Sequence, residues 1–158
     1  MKIRNIVCIC LGAILMMPLF TGCAWFQGVY VLEDTESLVF GYSTGNMANA
    51  RVKYTLVCEN GRNTVTVKLS GVADEDAAII EVDEDFVHRV EALLQSYNVQ
   101  RWEGFKKSDK RVLDGNDFHL YIHNYREQSM SATGYMKWPK NYEAVRDGLD
   151  ALFGGLVQ

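Results

Sequence analysis

RVKYTLVCENGRNTVTVKL, residues 51–69, decides the fold. Asn60-Gly61 is the preferred pair for a two-residue type I′ turn, because both positions need a positive φ. That turn opposes residues whose numbers sum to 121: Leu56 with Val65, Tyr54 with Val67 and Val52 with Leu69. Every pair is apolar on both strands, so turn chemistry and side-chain alternation select one register. Cys58 falls on this inward face, whereas Arg51, Lys53, Thr64, Thr66 and Lys68 point the other way.

Upstream, Leu38, Phe40 and Tyr42 alternate and predict a strand over residues 36–43, followed by a Gly/Asn/Ala loop to residue 50. Downstream, Phe86, Val90, Leu93, Leu94 and Tyr97 form one helical stripe, broad enough to cover a sheet. Asp83 is placed to cap that helix, Glu84 and Asp85 suit its positive end, and Val82 with Val87 would make the hydrophobic staple. His88 falls off the stripe. A second hairpin follows, with Phe118, Leu120 and Ile122 on one face of a strand over residues 117–125. A three-residue loop at Arg126 to Gln128 opposes them to Met136, Gly134 and Ala132 and keeps the inner face apolar. It places Gln128 in the left-handed region. The last helix is predicted over residues 142–153, with Asn141 as cap and Tyr142, Val145, Leu149, Leu152 and Phe153 inward. Gly154-Gly155 ends it, and Gly148 weakens its middle.

The expected fold class is therefore α+β. An antiparallel sheet of about five strands carries both helices on one face. The strand, hairpin–helix, hairpin–helix order is compatible with a degenerate ββα repeat, although the halves share no motif.

Seven acids lie between residues 74 and 85: Asp74, Glu75, Asp76, Glu81, Asp83, Glu84 and Asp85. Clustered carboxylates suit calcium, but the alternating Asp ladder and turn glycine of an EF-hand loop are missing. Helix capping accounts for the last of them, and no metal site or cofactor is expected.

The first 23 residues speak to location. Lys2 and Arg4 precede an apolar run from Ile6 to Phe20 that is interrupted by Pro18. The run is about 15 residues, or roughly 22 Å as a helix, too short for the ~30 Å hydrocarbon core. A secretory signal over residues 1–22 is the expectation. Phe20-Thr21-Gly22-Cys23 resembles a bacterial lipobox, which implies lipidation of Cys23 with diacylglyceryl and palmitate chains. Phe20 departs from the usual Leu. Ordinary cleavage after Ala24 is the rival. Residues 23–35 would then be the lipid-attached segment and 36–155 the domain. Cys8 and Cys10 leave with the signal and Cys23 is modified, so only Cys58 keeps a thiol.

Composition narrows the function. The net charge is −4, with 16 basic against 20 acidic residues, and no basic run exceeds Lys106-Lys107. A nucleic-acid partner is not expected. Without the first 22 residues the net charge becomes −6. Such a body is repelled by anionic headgroups, so attachment to a membrane would come from the acyl chains.

Three constellations compete for chemistry. Trp102, Trp138 and Tyr142 offer an aromatic platform for a sugar or peptide, or else a structural clamp with Trp102 buried. His119, Tyr121, His123 and Tyr125 share one strand face, opposite Ser129, Ser131, Thr133 and Tyr135. Histidines four apart in a strand lie ~13 Å apart, too far to share one zinc ion. This face is the candidate interaction surface. A hydrolase would use Asp114 and Asp117, with Glu103 and Asp109 nearby, but no nucleophile elbow, zinc-ligand or phosphate-loop motif accompanies them.

Trp102-Glu103-Gly104-Phe105, Leu113-Asp114-Gly115 with Phe118, Ala132 with Gly134, and Pro139 with Asn141-Tyr142 resemble a pattern in an uncharacterised family of bacterial envelope lipoproteins and secreted proteins. The likeness covers about residues 83–153. Gln128 stands where the family usually has glycine. It implies an exported protein and carries no activity. The reading that results is a membrane-anchored, non-enzymatic envelope lipoprotein facing the periplasm or the exterior. It would bind a protein or glycan partner through the free sheet face at Tyr121, His123 and Tyr125.

Overall fold

The computed structural model describes residues 32–43, 51–73 and 77–157. The signal, Cys23 and the acids Asp74, Glu75 and Asp76 lie outside these residues. The elements are β1 (Thr35–Ser43), β2 (Arg51–Glu59), β3 (Arg62–Leu69), β4 (Ala78–Val82), α1 (Glu84–Ser96), β5 (Phe105–Ser108), β6 (Asp117–Asn124), β7 (Ser129–Tyr135) and α2 (Tyr142–Gly154). A 3₁₀ turn at Val99–Trp102 precedes β5.

All seven strands form one sheet in the order β4-β3-β2-β1-β6-β7-β5. Neighbours are antiparallel except β5, which runs parallel to β7. The class is α+β, with a largely antiparallel sheet and two helices packed together. Leu38 and Phe40 of the central strand, Tyr54, Leu56 and Cys58, Val65 and Val67, and Phe118, Leu120 and Ile122 form a single core with Phe86, Val90 and Leu94 of α1 and Val145, Leu149 and Phe153 of α2. Both helices therefore cover the same face. The other face has no covering element among the described residues.

The β2–β3 hairpin has the expected register, Leu56 opposite Val65 and Tyr54 opposite Val67. Asn60 and Gly61 take φ of 54° and 73°. Strands β4 and β5 are additions to the expected five. They occupy the two edges of the sheet, where strands are kept short because a long apolar edge invites pairing with other chains. Phe105-Lys106-Lys107-Ser108 has little apolar pattern to betray it, and Ile79 of β4 is 74% exposed.

The second hairpin keeps the expected inner face but shifts register by two residues. Phe118 lies opposite Gly134, Leu120 opposite Ala132 and Ile122 opposite Met130. The three-residue loop is Tyr125 to Glu127, and Glu127, not Gln128, takes the left-handed conformation at φ 60°. Asn124 makes the difference. Its fully buried side chain accepts from the backbone N–H groups of Arg126 (3.1 Å) and Gln128 (3.0 Å), closing the turn one residue earlier.

The helix starts behave differently. Asp83 caps α1 as expected, its carboxylate accepting from Phe86 N–H at 2.8 Å. Asn141 sits at the cap position of α2 but does not cap it with its side chain. At φ 66° the side chain is turned away, and its Nδ2 donates to the Tyr97 carbonyl at 3.3 Å, joining the start of α2 to the end of α1. Gly148 lies under Leu93 of α1; a Cβ there would sit 2.6 Å from Leu93 Cδ1. The glycine that costs helix propensity thus lets the two helices approach.

Two acidic side chains join the helices to the sheet. Glu91 is 7% exposed, and its Oε1 accepts from the buried Thr35 N–H at 2.9 Å. Asp150 of α2 accepts from the hydroxyls of Tyr42 and Tyr54, both at 2.8 Å. Burial, then the bond to Asp150, holds both phenols far above the usual range. They tie helix to sheet as neutral donors.

Candidate functional site

The antiparallel registers stack the outward side chains into rows across the strands. One row runs Thr66, Thr55, Val39, Tyr121, Ser131; the next runs Thr64, Val57, Ser37, His123, Ser129. Alternation alone puts them there, since their strand neighbours point into the core. Tyr121 is 48% exposed. His123 is half-buried; its Nε2 lies 3.3 Å from Glu36 Oε2 and its Nδ1 2.8 Å from Ser129 Oγ. A hollow of about 230 Å³ opens beside Tyr121 and His123.

Tyr125 does not belong to this surface. It sits in the β6–β7 turn, where its hydroxyl donates to the Cys58 carbonyl. There it borders a groove of about 760 Å³ at the end of the sheet where α1 begins, together with Glu33, Glu81, Arg62 and His88. The strand expected to reach residue 125 stops at Asn124, because Asn124 turns the chain.

The aromatic trio forms no platform. Trp102 and Tyr142 are 3% and 5% exposed. Trp102 Nε1–H donates to the Lys140 carbonyl at 3.1 Å, and Trp138 stacks on Tyr142 with centroids 4.6 Å apart. Of the three, Trp138 alone offers a partly exposed ring. The turns around them have structural duties. Glu103 accepts from Ser131 N–H at 2.8 Å and Gly104 N–H donates to the Ser131 carbonyl, which starts β5 on β7. The Tyr135 hydroxyl accepts from Gly115 N–H and donates to the Leu113 carbonyl, both at 2.8 Å, pinning the Leu113-Asp114-Gly115 loop.

The carboxylates offered for hydrolysis have separate commitments. Asp117 holds the Ser43 hydroxyl and pairs with Arg51 at 3.6 Å. Asp109 is gripped by Arg111 at 2.8 Å, with Lys137 at 3.7 Å, and the Arg111 guanidinium holds its carboxyl down at about 2. Asp114 is exposed in the loop that Tyr135 pins. Among the described residues, no three His, Cys, Asp or Glu side chains converge as a metal ion requires.

Cys58 is 5% exposed, and burial, then the charge of Glu91, pushes its thiol up to about 11. Alkylation by iodoacetamide at pH 8 should accordingly run at least ~100-fold slower in the native protein than in denaturant. The raised pKa has a defined sign. The unfolded thiol ionises near 9, so the stability gained by keeping it neutral is intact below about pH 9 and lost as pH rises toward 11. Denaturant titrations at pH 8 and pH 10.5 should show this drop, and Cys58→Val should lessen it.

A third row was not anticipated as a unit: Lys68, Lys53, Gly41, His119, Thr133 and Lys106, each opposite the next. Burial holds the His119 imidazole below its ordinary range; Asp117 opposes this, and Lys53 and Arg51 add to it. The Lys53–Lys68 part was readable from the hairpin register. Its continuation onto β6 and β5 depends on which strands become neighbours. No protein-family model matches the chain, and no curated protein compared with it is similar.

Proposed function

We propose that this chain is a lipid-anchored envelope protein whose domain works without catalysis, binding another envelope component through its uncovered sheet face. In this reading residues 1–22 direct export, Cys23 carries the acyl chains, and the domain faces the periplasm or the exterior. The carrying observation is the asymmetry of the sheet. Both helices and the whole core lie on one side, while the other presents Tyr121, His123 and rows of hydroxyl side chains. An exposed surface of this kind, aromatic and polar together, suits recognition. The lipobox-like Phe20-Thr21-Gly22-Cys23 supports the address.

Two measurements on the native protein test it. Palmitate labelling should be lost in Cys23→Ser, with the protein released from membranes. Crosslinking to envelope components should be lost in Tyr121→Glu with His123→Glu, while the melting temperature stays within a few degrees because both side chains lie outside the core. An unchanged crosslinking pattern would rule out the face; labelling that persists in Cys23→Ser would rule out the anchor.

A further inference from the structure

On the uncovered face the charge changes sign along the strands. The outward residues of β2 show it most simply. They read Arg51, Lys53, Thr55, Val57 and Glu59, because Tyr54, Leu56 and Cys58 point into the core. Neighbouring strands repeat the order. Lys106 of β5 lies opposite Thr133, in the same row as Lys53. Glu81 lies opposite Thr64, and Glu36 beside His123, toward the end where Glu59 stands. Between the two ends runs a row without charge: Ile79, Thr66, Thr55, Val39, Tyr121 and Ser131, each opposite the next. Asp117 and Arg62 break the pattern, and both are held within the chain, Asp117 by Arg51 and Ser43 and Arg62 by Glu81.

This reversal of sign selects the occupant. A partner of one charge, anionic or cationic, is attracted at one end of the strands and repelled at the other. A second copy turned end for end is attracted at both. A two-fold axis along the uncharged row sets the strands of the two copies antiparallel and lays that row on its own counterpart. Arg51 then meets Glu59 of the second copy, and Lys53 reaches its Glu36. The Arg51 side chain is 70% exposed and holds Asp117 at only 3.6 Å, so its fork of donors can take a second carboxylate. An axis along the strands would instead stack basic end on basic end.

The shape of the face suits this arrangement. Two sheets close to ~10 Å when short side chains meet between them, and Thr55, Thr66 and Val39 supply these at the centre. Six inter-strand steps by the length from Arg51 to Glu59 give roughly 600 Å² per copy, or about 1,200 Å² for the pair, the lower end for stable complexes. The net charge of −4 repels a second copy at long range, but at physiological salt this is screened beyond ~8 Å, and the opposed ends decide the contact. Anchoring both copies to one membrane would raise their effective concentration.

We propose that the uncovered face pairs with the same face of a second copy, turned end for end about the uncharged row. The proposal rests on that face being the binding surface and names the component it binds. The test is crosslinking of cysteine variants of the full chain in native membranes with a short bismaleimide. Cys58 is buried, and acylation blocks Cys23, so neither competes. Thr55→Cys, on the axis, should give a crosslinked dimer. Glu59→Cys should not, because its counterpart lies ~26 Å away along the strands. In the Thr55→Cys chain, Lys53→Glu or Glu36→Lys should each lower the yield at least fivefold, and the two together should return it to within about twofold. Should either charge variant melt early, Lys53→Gln and Glu36→Gln read the same loss. No dimer from Thr55→Cys, equal yields from Thr55→Cys and Glu59→Cys, or no recovery in the double charge variant would overturn the proposal. If Tyr121→Glu with His123→Glu abolishes envelope crosslinking while Thr55→Cys gives no dimer, the face stands as a binding surface and the second copy does not.

Discussion

Phe118→Ala is expected to destabilise the domain by about 3–5 kcal/mol, the range for deleting a large ring from a packed core. Phe118 is 1% exposed and lies at the start of β6. Four rings surround it: Tyr142 at 4.8 Å between centroids, Trp138 at 5.7 Å, and Trp102 and Phe105 at 6.1 Å each. They come from α2, the loop before it, the 3₁₀ turn and β5, so the hole left by alanine has walls on separate elements and cannot close cheaply. The melting temperature should fall by roughly 10–20 °C. Trp138→Ala, which removes a partly exposed ring from the rim of the same cluster, should cost no more than ~1.5 kcal/mol. Thermal melts of the two variants check the contrast; equal losses would mean that Phe118 holds the cluster no more than Trp138 does.

Asn124→Ala should cost about 1–3 kcal/mol, because two backbone N–H groups of the turn lose the acceptor that a fully buried side chain supplies. The damage should be local, with hydrogen exchange accelerated in β6 and β7 ahead of β2 and β3. Glu127→Gly should act in the opposite sense. Glu127 holds φ at 60°, where glycine is favoured by up to ~1 kcal/mol. Gln128→Gly should bring no such gain. Denaturant midpoints of the three variants separate the observed turn from the one that alternation alone suggests; a gain at residue 128 without one at 127 would place the turn one residue later.

These variants also bear on the motif residues between Trp102 and Tyr142. Trp102, Glu103, Gly104 and Gly115 each satisfy a backbone or ring contact described above, and Phe118 and Tyr142 fill the core. Their spacing follows from joining an edge strand, a loop and a hairpin around one aromatic cluster. The geometry assigns them to holding the fold.

What could be read before any tertiary contact was known were the features carried by neighbours in the chain. Asn60-Gly61 set the first hairpin because a type I′ turn and paired apolar faces demand one register. Asp83 capped α1 because a carboxylate three residues before an amide needs only local geometry. The faces of β6 and β7 followed from alternation. Other features depended on partners far away in sequence. Edge strand β5 buries too little to leave an apolar signature, and the short apolar run of β4, Ala-Ile-Ile-Glu-Val, lacks the alternation that marks a half-buried strand. Asn124 and Glu91 are polar groups whose burial is tolerable only because distant or turn N–H groups meet them. Asn141 is drawn off its own helix by the Tyr97 carbonyl. The basic row exists because β1 lies between β2 and β6, bringing Lys53 and His119 to either side of Gly41. Strand order is settled by how a whole sheet buries one face, and local sequence does not encode it.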